Sequence, residues 1–245
     1  MSKKTINQNT NYDTEILNSI GSNFVFDENP INRLKNTASN LKKEHNVDEI
    51  DREKEKELNE LKLQINSIID CDLKNNSKKI VLGDGNINSP IMLVGEAPGT
   101  EEDVTGLTFL GEVGDLLKKM LNAINIKKEN IYSTYAVNFR PPEDRKPSPK
   151  EIKRYSQFLQ KQISIIKPKL IILMGSTAME SLTGLNSKIS MERGKWKEVI
   201  VQNTTYNTII TFNPSYLLRA PENKKYSWED LKKIKQKIID LKLKI

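Results

Sequence analysis

Four short apolar-rich runs, each breaking off into a loop of Gly, Pro, Ser or Asn, limit what this chain can fold into. They are Ile91–Val94, Ile131–Phe139, Leu170–Met174 and Tyr206–Phe212. Runs so short, bounded by turn residues, read as buried strands rather than helices. Helical spacing fills the gaps between them. Val113, Leu116, Leu117, Met120, Leu121 and Ile124 recur at three- and four-residue steps over Glu112–Ile126. Ser148-Pro149-Lys150-Glu151 supplies an N-cap, a first-turn proline and an acid, so a helix should run to about Ile166. A third helix should follow Gly175-Ser176-Thr177-Ala178, and a basic amphipathic one should close the chain over Trp228–Lys244. Strands alternating with helices predict a three-layer α/β/α sandwich around a central, mostly parallel four-stranded sheet. In such sheets binding sites gather at the carboxyl ends of the strands.

The first 50 residues are different. They are polar, with apolar islands only at Ile16-Leu17 and Phe24-Val25-Phe26, and read as a disordered leader, 1–50, carrying a short docking segment. Leu58, Leu61, Ile65 and Ile68-Ile69 then mark an amphipathic helix over Asp48–Asp70, opening a folded domain of residues 51–245. Charge divides along the same line. Residues 1–70 hold 10 Lys+Arg against 13 Asp+Glu, a balance of −3, and residues 71–245 hold 29 against 19, a balance of +10. A basic domain suits a polyanion such as nucleic acid, although surface lysine alone also produces such a balance. One cysteine, Cys71, excludes an internal disulfide framework, and one histidine, His45, excludes chemistry that needs two. No apolar run reaches the ~18–20 residues of a membrane span, and the first residues lack a secretory signal. A soluble, cytoplasmic protein of a reducing compartment is expected, without membrane contact and monomeric.

Chemistry concentrates at the strand ends. The first strand runs into Gly95-Glu96-Ala97-Pro98-Gly99, whose backbone amides can turn towards a ligand, with Glu96 projecting from the same turn. A tight turn with helix-capping acids explains those residues equally well. Phe109, between Gly106 and Gly111, is either a loop aromatic or a core plug. The second strand ends in Tyr135-Ala136-Val137-Asn138-Phe139-Arg140-Pro141-Pro142. Gly175 and Ser176 after the third would let a phosphate approach a helix N-terminus. The fourth ends in Asn213-Pro214-Ser215-Tyr216-Leu217-Leu218-Arg219. Its two leucines are either a wedge for a base stack, with Arg219 on a phosphate, or a loop folded over the core.

Taken in order, GEAPGTEEDVTGLTFLG, FRPPEDRKP, IILMGSTA and NPSYLLR resemble the family 4 uracil-DNA glycosylases, within the wider uracil-DNA glycosylase superfamily. The resemblance runs from about Leu63 to the C-terminus, and Phe26–Leu34 looks like the leader of some members. It implies cleavage of the N-glycosidic bond of uracil, or a related deaminated base, in DNA after base flipping. By position, Phe109 would stack on the flipped base, and the amides of Gly95, Ala97 and Gly99 would meet its carbonyls. Glu96 would place the attacking water. Ser176 and Ser215 would grip phosphates, and Leu217, Leu218 and Arg219 would fill the vacated stack.

Three departures stand out. Asn213 replaces the family's histidine, which donates to the uracil oxygen; one such donor is worth on the order of 10²–10³ in rate. Tyr135 stands where the family has an asparagine that reads the base edge, while Asn138, three residues on, should face the other way. The family's four cluster cysteines correspond to Ile68, Cys71, Phe139 and Tyr155, so no [4Fe-4S] cluster, and no other cofactor, is expected. The resemblance thus implies a glycosylase of weakened or altered activity or, alternatively, a catalytically impaired relative that binds DNA lesions. In either case the acidic leader could recruit a repair or replication partner.

Overall fold

The computed structural model describes residues 33–69 and 71–245, with side chains from Glu49 onward. Most of the expected leader, with its apolar islands, lies outside the described residues. The first described helix spans Arg33–Asn66, beginning well before the expected Asp48. Contacts group residues Asp48–Ile245 as one unit, described from here on.

Six strands form its sheet: β1 (Asp84–Gly85), β2 (Ile91–Gly95), β3 (Tyr132–Tyr135), β4 (Leu170–Met174), β5 (Trp196–Val201) and β6 (Thr204–Thr211). Their order is β1-β3-β2-β4-β6-β5. The four strands expected from the sequence are the four parallel ones, β3-β2-β4-β6. Two antiparallel strands are added, one at each edge. β5 pairs with β6 through a turn in which Gln202 and Asn203 both take positive φ, at 45° and 65°. That is the twist a two-residue hairpin demands. The second run stops being a strand at Tyr135, although Ala136 and Val137 still donate to the carbonyls of Gly95 and Glu96.

Alternation within the buried strands sends side chains to two cores. Met92, Val94, Ile171 and Leu173 meet the helices Arg33–Asn66, Pro149–Ile166 and Ser176–Thr183 through Leu61, Ile65, Tyr155, Leu159, Ile163 and Met179. Ile91, Leu93, Leu170 and Ile172 meet Gly111–Asn122 and Lys224–Asp240 through Leu117, Leu121, Leu231 and Ile234. Helices on both faces complete the three layers. The chain leaves β2 for β3 on one side, then crosses to β4 on the other, and that reversal opens a crevice at the carboxyl ends.

The helix Pro149–Ile166 begins as its sequence predicts. Ser148 accepts from the Glu151 amide, Glu151 accepts from the Ser148 amide at 2.6 Å, and Pro149 fills the first position. Arg145 grips Glu151 with two nitrogens at 2.7 and 2.9 Å. That guanidinium holds the Glu151 carboxyl down at about 2. A depressed carboxyl contributes stability above its unfolded value, and that contribution disappears as pH falls through the folded one. Thermal unfolding followed from pH 5 to pH 2 should therefore reveal a loss that Glu151→Gln removes. Because the pair is partly exposed, about 1 kcal/mol is at stake.

Candidate active site

The carboxyl ends of β2, β4 and β6 bring three distant residues together. Glu96 follows β2, Ser176 opens the helix after β4, and Asn213 follows β6. Glu96 Oε1 accepts from the Thr177 amide at 3.0 Å and from Ser176 Oγ at 3.3 Å. Its Oε2 accepts from Asn213 Nδ2 at 3.3 Å. The carboxylate thus sits at the N-terminus of Ser176–Thr183, where the helix dipole favours a negative charge. Asn213 is also the N-cap of Pro214–Arg219: its Oδ1 accepts from the Ser215 amide at 3.0 Å. This bond fixes the amide so that its N–H₂ faces Glu96. Gly175, with φ 101°, permits the approach, because a Cβ there would lie 2.4 Å from Glu96 Cδ.

A cavity of about 690 Å³ opens in front of this pair, lined among others by Ala97, Phe109, Tyr135, Ser215 and Arg219. Phe109 turns out to be both things the sequence allowed. It is 2% exposed and belongs to the core, yet it forms a wall of the cavity. Its φ of 51° is left-handed, which a non-glycine residue adopts only under constraint. The constraints surround it. Asp84 accepts from the Thr108 amide and hydroxyl at 2.8 and 2.6 Å. Lys128 donates to the carbonyls of Thr108 and Phe109 at 2.5 and 3.2 Å.

Tyr135 lies against Phe109, with ring centroids 5.0 Å apart. Its hydroxyl accepts from the Phe109 amide at 2.9 Å and donates to Glu102 Oε1 at 3.3 Å. Burial, reinforced by the Glu102 carboxylate, pushes this phenol well above its usual range. The hydroxyl is therefore a neutral group committed to the protein, while the residue lines the cavity. Glu102 was missed in the sequence. It accepts from the amides of Gly99 and Leu110 at 3.1 and 2.9 Å, as well as from Tyr135, and so ties the Gly95–Gly99 turn to the Phe109 loop. Its place three residues after the helix cap Gly99 was the available signal.

Several expected roles shift with this geometry. The Gly99 amide is occupied by Glu102, and Gly95 lies behind the cavity wall rather than on it. A Cβ on Gly95 would come 2.6 Å from the Tyr135 ring, so its smallness serves that packing. The Ser176 hydroxyl points at Glu96. Leu217 is 1% exposed and part of the core. Pro214–Arg219 is a helix, so Leu217 turns inward while Leu218 and Arg219 remain outside. Asn138 faces away, as expected, donating to Val81 O at 3.0 Å.

The four positions that correspond to cluster ligands in family 4 do converge. Cys71 Sγ lies 3.3 Å from the Tyr155 hydroxyl, Phe139 meets the Tyr155 ring edge-on at 6.2 Å, and Ile68 packs against the same core. One thiol, one phenol raised above its ordinary range by burial and two hydrocarbon side chains do not fit a four-thiolate cluster. Among the described residues no three His, Cys, Asp or Glu side chains are grouped to hold a metal ion. No described helix is long and apolar enough to cross a membrane.

Comparison with known proteins agrees with the architecture. The uracil DNA glycosylase superfamily matches residues 82–234. The type-4 uracil-DNA glycosylase of Thermotoga maritima is 38% identical over 168 residues, which are 67% of this chain and 86% of the relative. That of Archaeoglobus fulgidus is 33% identical over 181 residues, covering 72% and 91%. A DNA polymerase of Bacillus phage SP01 is 30% identical over 160 residues, 65% of this chain but only 17% of the polymerase. The matched residues include all four strand ends that build the cavity, and the chain belongs to the uracil DNA glycosylase superfamily, as a family 4-like member.

Proposed function

We propose that this protein hydrolyses the N-glycosidic bond of uracil, or a related deaminated base, in DNA. The observation that carries the proposal is the pairing of a carboxylate and an amide donor, Glu96 and Asn213, at the mouth of a cavity walled by Phe109. The base would leave the stack at a cost of a few kcal/mol, least in single strands or mispairs. It would enter beside the Phe109 and Tyr135 rings. Glu96 would hold a water and take its proton as the oxygen bonds to the sugar C1′. The glycosidic electron pair would pass into the base, and Asn213 would donate to the base oxygen as charge develops there. Leu218 and Arg219, exposed beside the cavity, would hold the gap in the duplex and a phosphate.

A specific observation keeps a second reading in play. Both ends of the Asn213 amide are already engaged, and the Tyr135 hydroxyl is spent on Phe109 and Glu102. Such a site would hold a base by the Phe109 and Tyr135 rings while lacking a free donor for its departure. Single-turnover assays on uracil, hypoxanthine and xanthine oligonucleotides, single- and double-stranded, separate the two readings. Abasic product from at least one substrate is expected; tight binding with no product from any of them leaves the lesion-binding relative.

The reaction so written uses no cofactor, and the chemistry of Ile68, Phe139 and Tyr155 supports a protein without an iron–sulfur cluster. Anaerobically purified protein should contain less than about 0.1 iron per chain and lack broad visible absorption, since a cluster requires more thiolates than Cys71 supplies. Stoichiometric iron would refute this.

A further inference from the structure

A second groove, of about 780 Å³, opens beside the base cavity and shares Lys146, Ser176, Ile189, Phe212 and Tyr216 with it. The two form one continuous depression, with Tyr216 lining both. Tyr216 is 37% exposed. Its ring leans on Phe212 with centroids 5.0 Å apart, and its hydroxyl accepts from Asn223 Nδ2 at 3.1 Å. The aromatic wall behind it is braced. The Arg193 guanidinium lies 5.6 Å from the Phe212 ring centre and 5.3 Å from that of Tyr226. Asp230, fully buried, anchors that guanidinium with an ion pair. Lys146 and Lys188 add positive charge to the groove, and Glu180 is the acid in its lining.

An accessible aromatic ring on a fixed wall, among cations that outnumber the acid, is what an unpaired base and its phosphate require. We infer that this groove is a second nucleotide subsite, stacking the unpaired base next to the flipped one on Tyr216, with the connecting phosphates near Lys146 and Lys188. The inference rests on the reading that the adjoining cavity takes a flipped base. A neighbour still paired in a duplex remains in its own stack, so the subsite acts on single strands.

Fluorescence anisotropy on short oligonucleotides whose uracil carries a 2′-fluoro group, which blocks cleavage, tests this. On one side of the uracil, replacing the neighbouring base by an abasic tetrahydrofuran spacer should weaken single-strand binding roughly tenfold. Tyr216→Ala should weaken binding of the intact strand by the same factor yet bind the spacer strand like the parent. Tyr216→Phe, which keeps the ring, should match the parent throughout and guards against a folding defect. On duplexes, whose neighbouring base stays paired, Tyr216→Ala should weaken binding severalfold less than on single strands. The inference is overturned if the spacer costs the parent less than twofold on both sides of the uracil, or if Tyr216→Ala weakens intact and spacer strands equally. A spacer effect that persists with thymine in place of uracil would leave the subsite standing while the lesion reading fails.

Discussion

Glu96→Gln should lower single-turnover cleavage of a uracil-containing single strand by about 10²–10³-fold, with binding of an uncleavable strand changed less than twofold. The two side chains are nearly the same size, so the contacts from the Thr177 amide and Ser176 can survive on the remaining oxygen. What the amide cannot do is take a proton from water. It also sets an N–H₂ against that of Asn213, and Asn213 cannot turn away because the Ser215 amide holds its oxygen. Asn213→Ala should likewise cost on the order of 10²–10³ in rate, by removing a donor to the departing base. Since both act at one water and one base, the double variant should lose much less than the product of the single losses. Cleavage unaltered in Glu96→Gln would falsify the assignment of this carboxylate to the water.

The largest stability effect is expected at the buried ion pair of Arg193 and Asp230. Arg193→Met should destabilise the fold by about 3–5 kcal/mol at pH 7, because it strands the buried Asp230 carboxylate. For a unit of this size that is a fall of roughly 10 °C in Tm. Asp230 receives Arg193 Nε at 3.0 Å and Thr211 Oγ1 at 2.9 Å, and burial lifts its carboxyl above the ordinary value even against those partners. A carboxyl raised in the folded state contributes most below its unfolded value and loses that contribution as pH rises through the folded one. Without Arg193 the elevation grows, so the deficit should shrink as pH is lowered from 8 towards 5. Thermal melts across that range, with Asp230→Asn as the uncharged control, measure it. A deficit that does not vary with pH would place the loss in the contacts of Arg193 with Phe212 and Tyr226 instead.

The sequence made the middle of the sheet legible, but not its edges. Ile91–Val94 and Leu170–Met174 are continuously apolar because both faces are covered. Trp196–Val201 hides its strand character behind Lys197 and Glu198, and its turn is Gln202-Asn203 rather than a glycine-bearing pair. Within the site, the residue types at Glu96, Phe109 and Asn213 could be read, and the structure brings all three to one cavity. Which groups they bond could not be read, since those partners come from other strands and loops. Glu102 reaches Tyr135 across 33 residues, and Thr177 reaches Glu96 across 81. Leu217 and Leu218 part for a local reason. Asn213-Pro214 caps and starts a helix, whose pitch separates two adjacent leucines onto different sides.

Those same edges bear on whether one sheet can extend another. Free backbone amides along a sheet's rim are templates for another strand, and rims that are long, flat and apolar invite stacking. Here one rim is the two-residue β1, too short to register a partner. On the other, exposed Ile200 shares β5 with Lys197 and Glu198, and the right-handed twist of a tight hairpin turns the strand out of plane. Among the described residues, neither rim is at once long, flat and apolar.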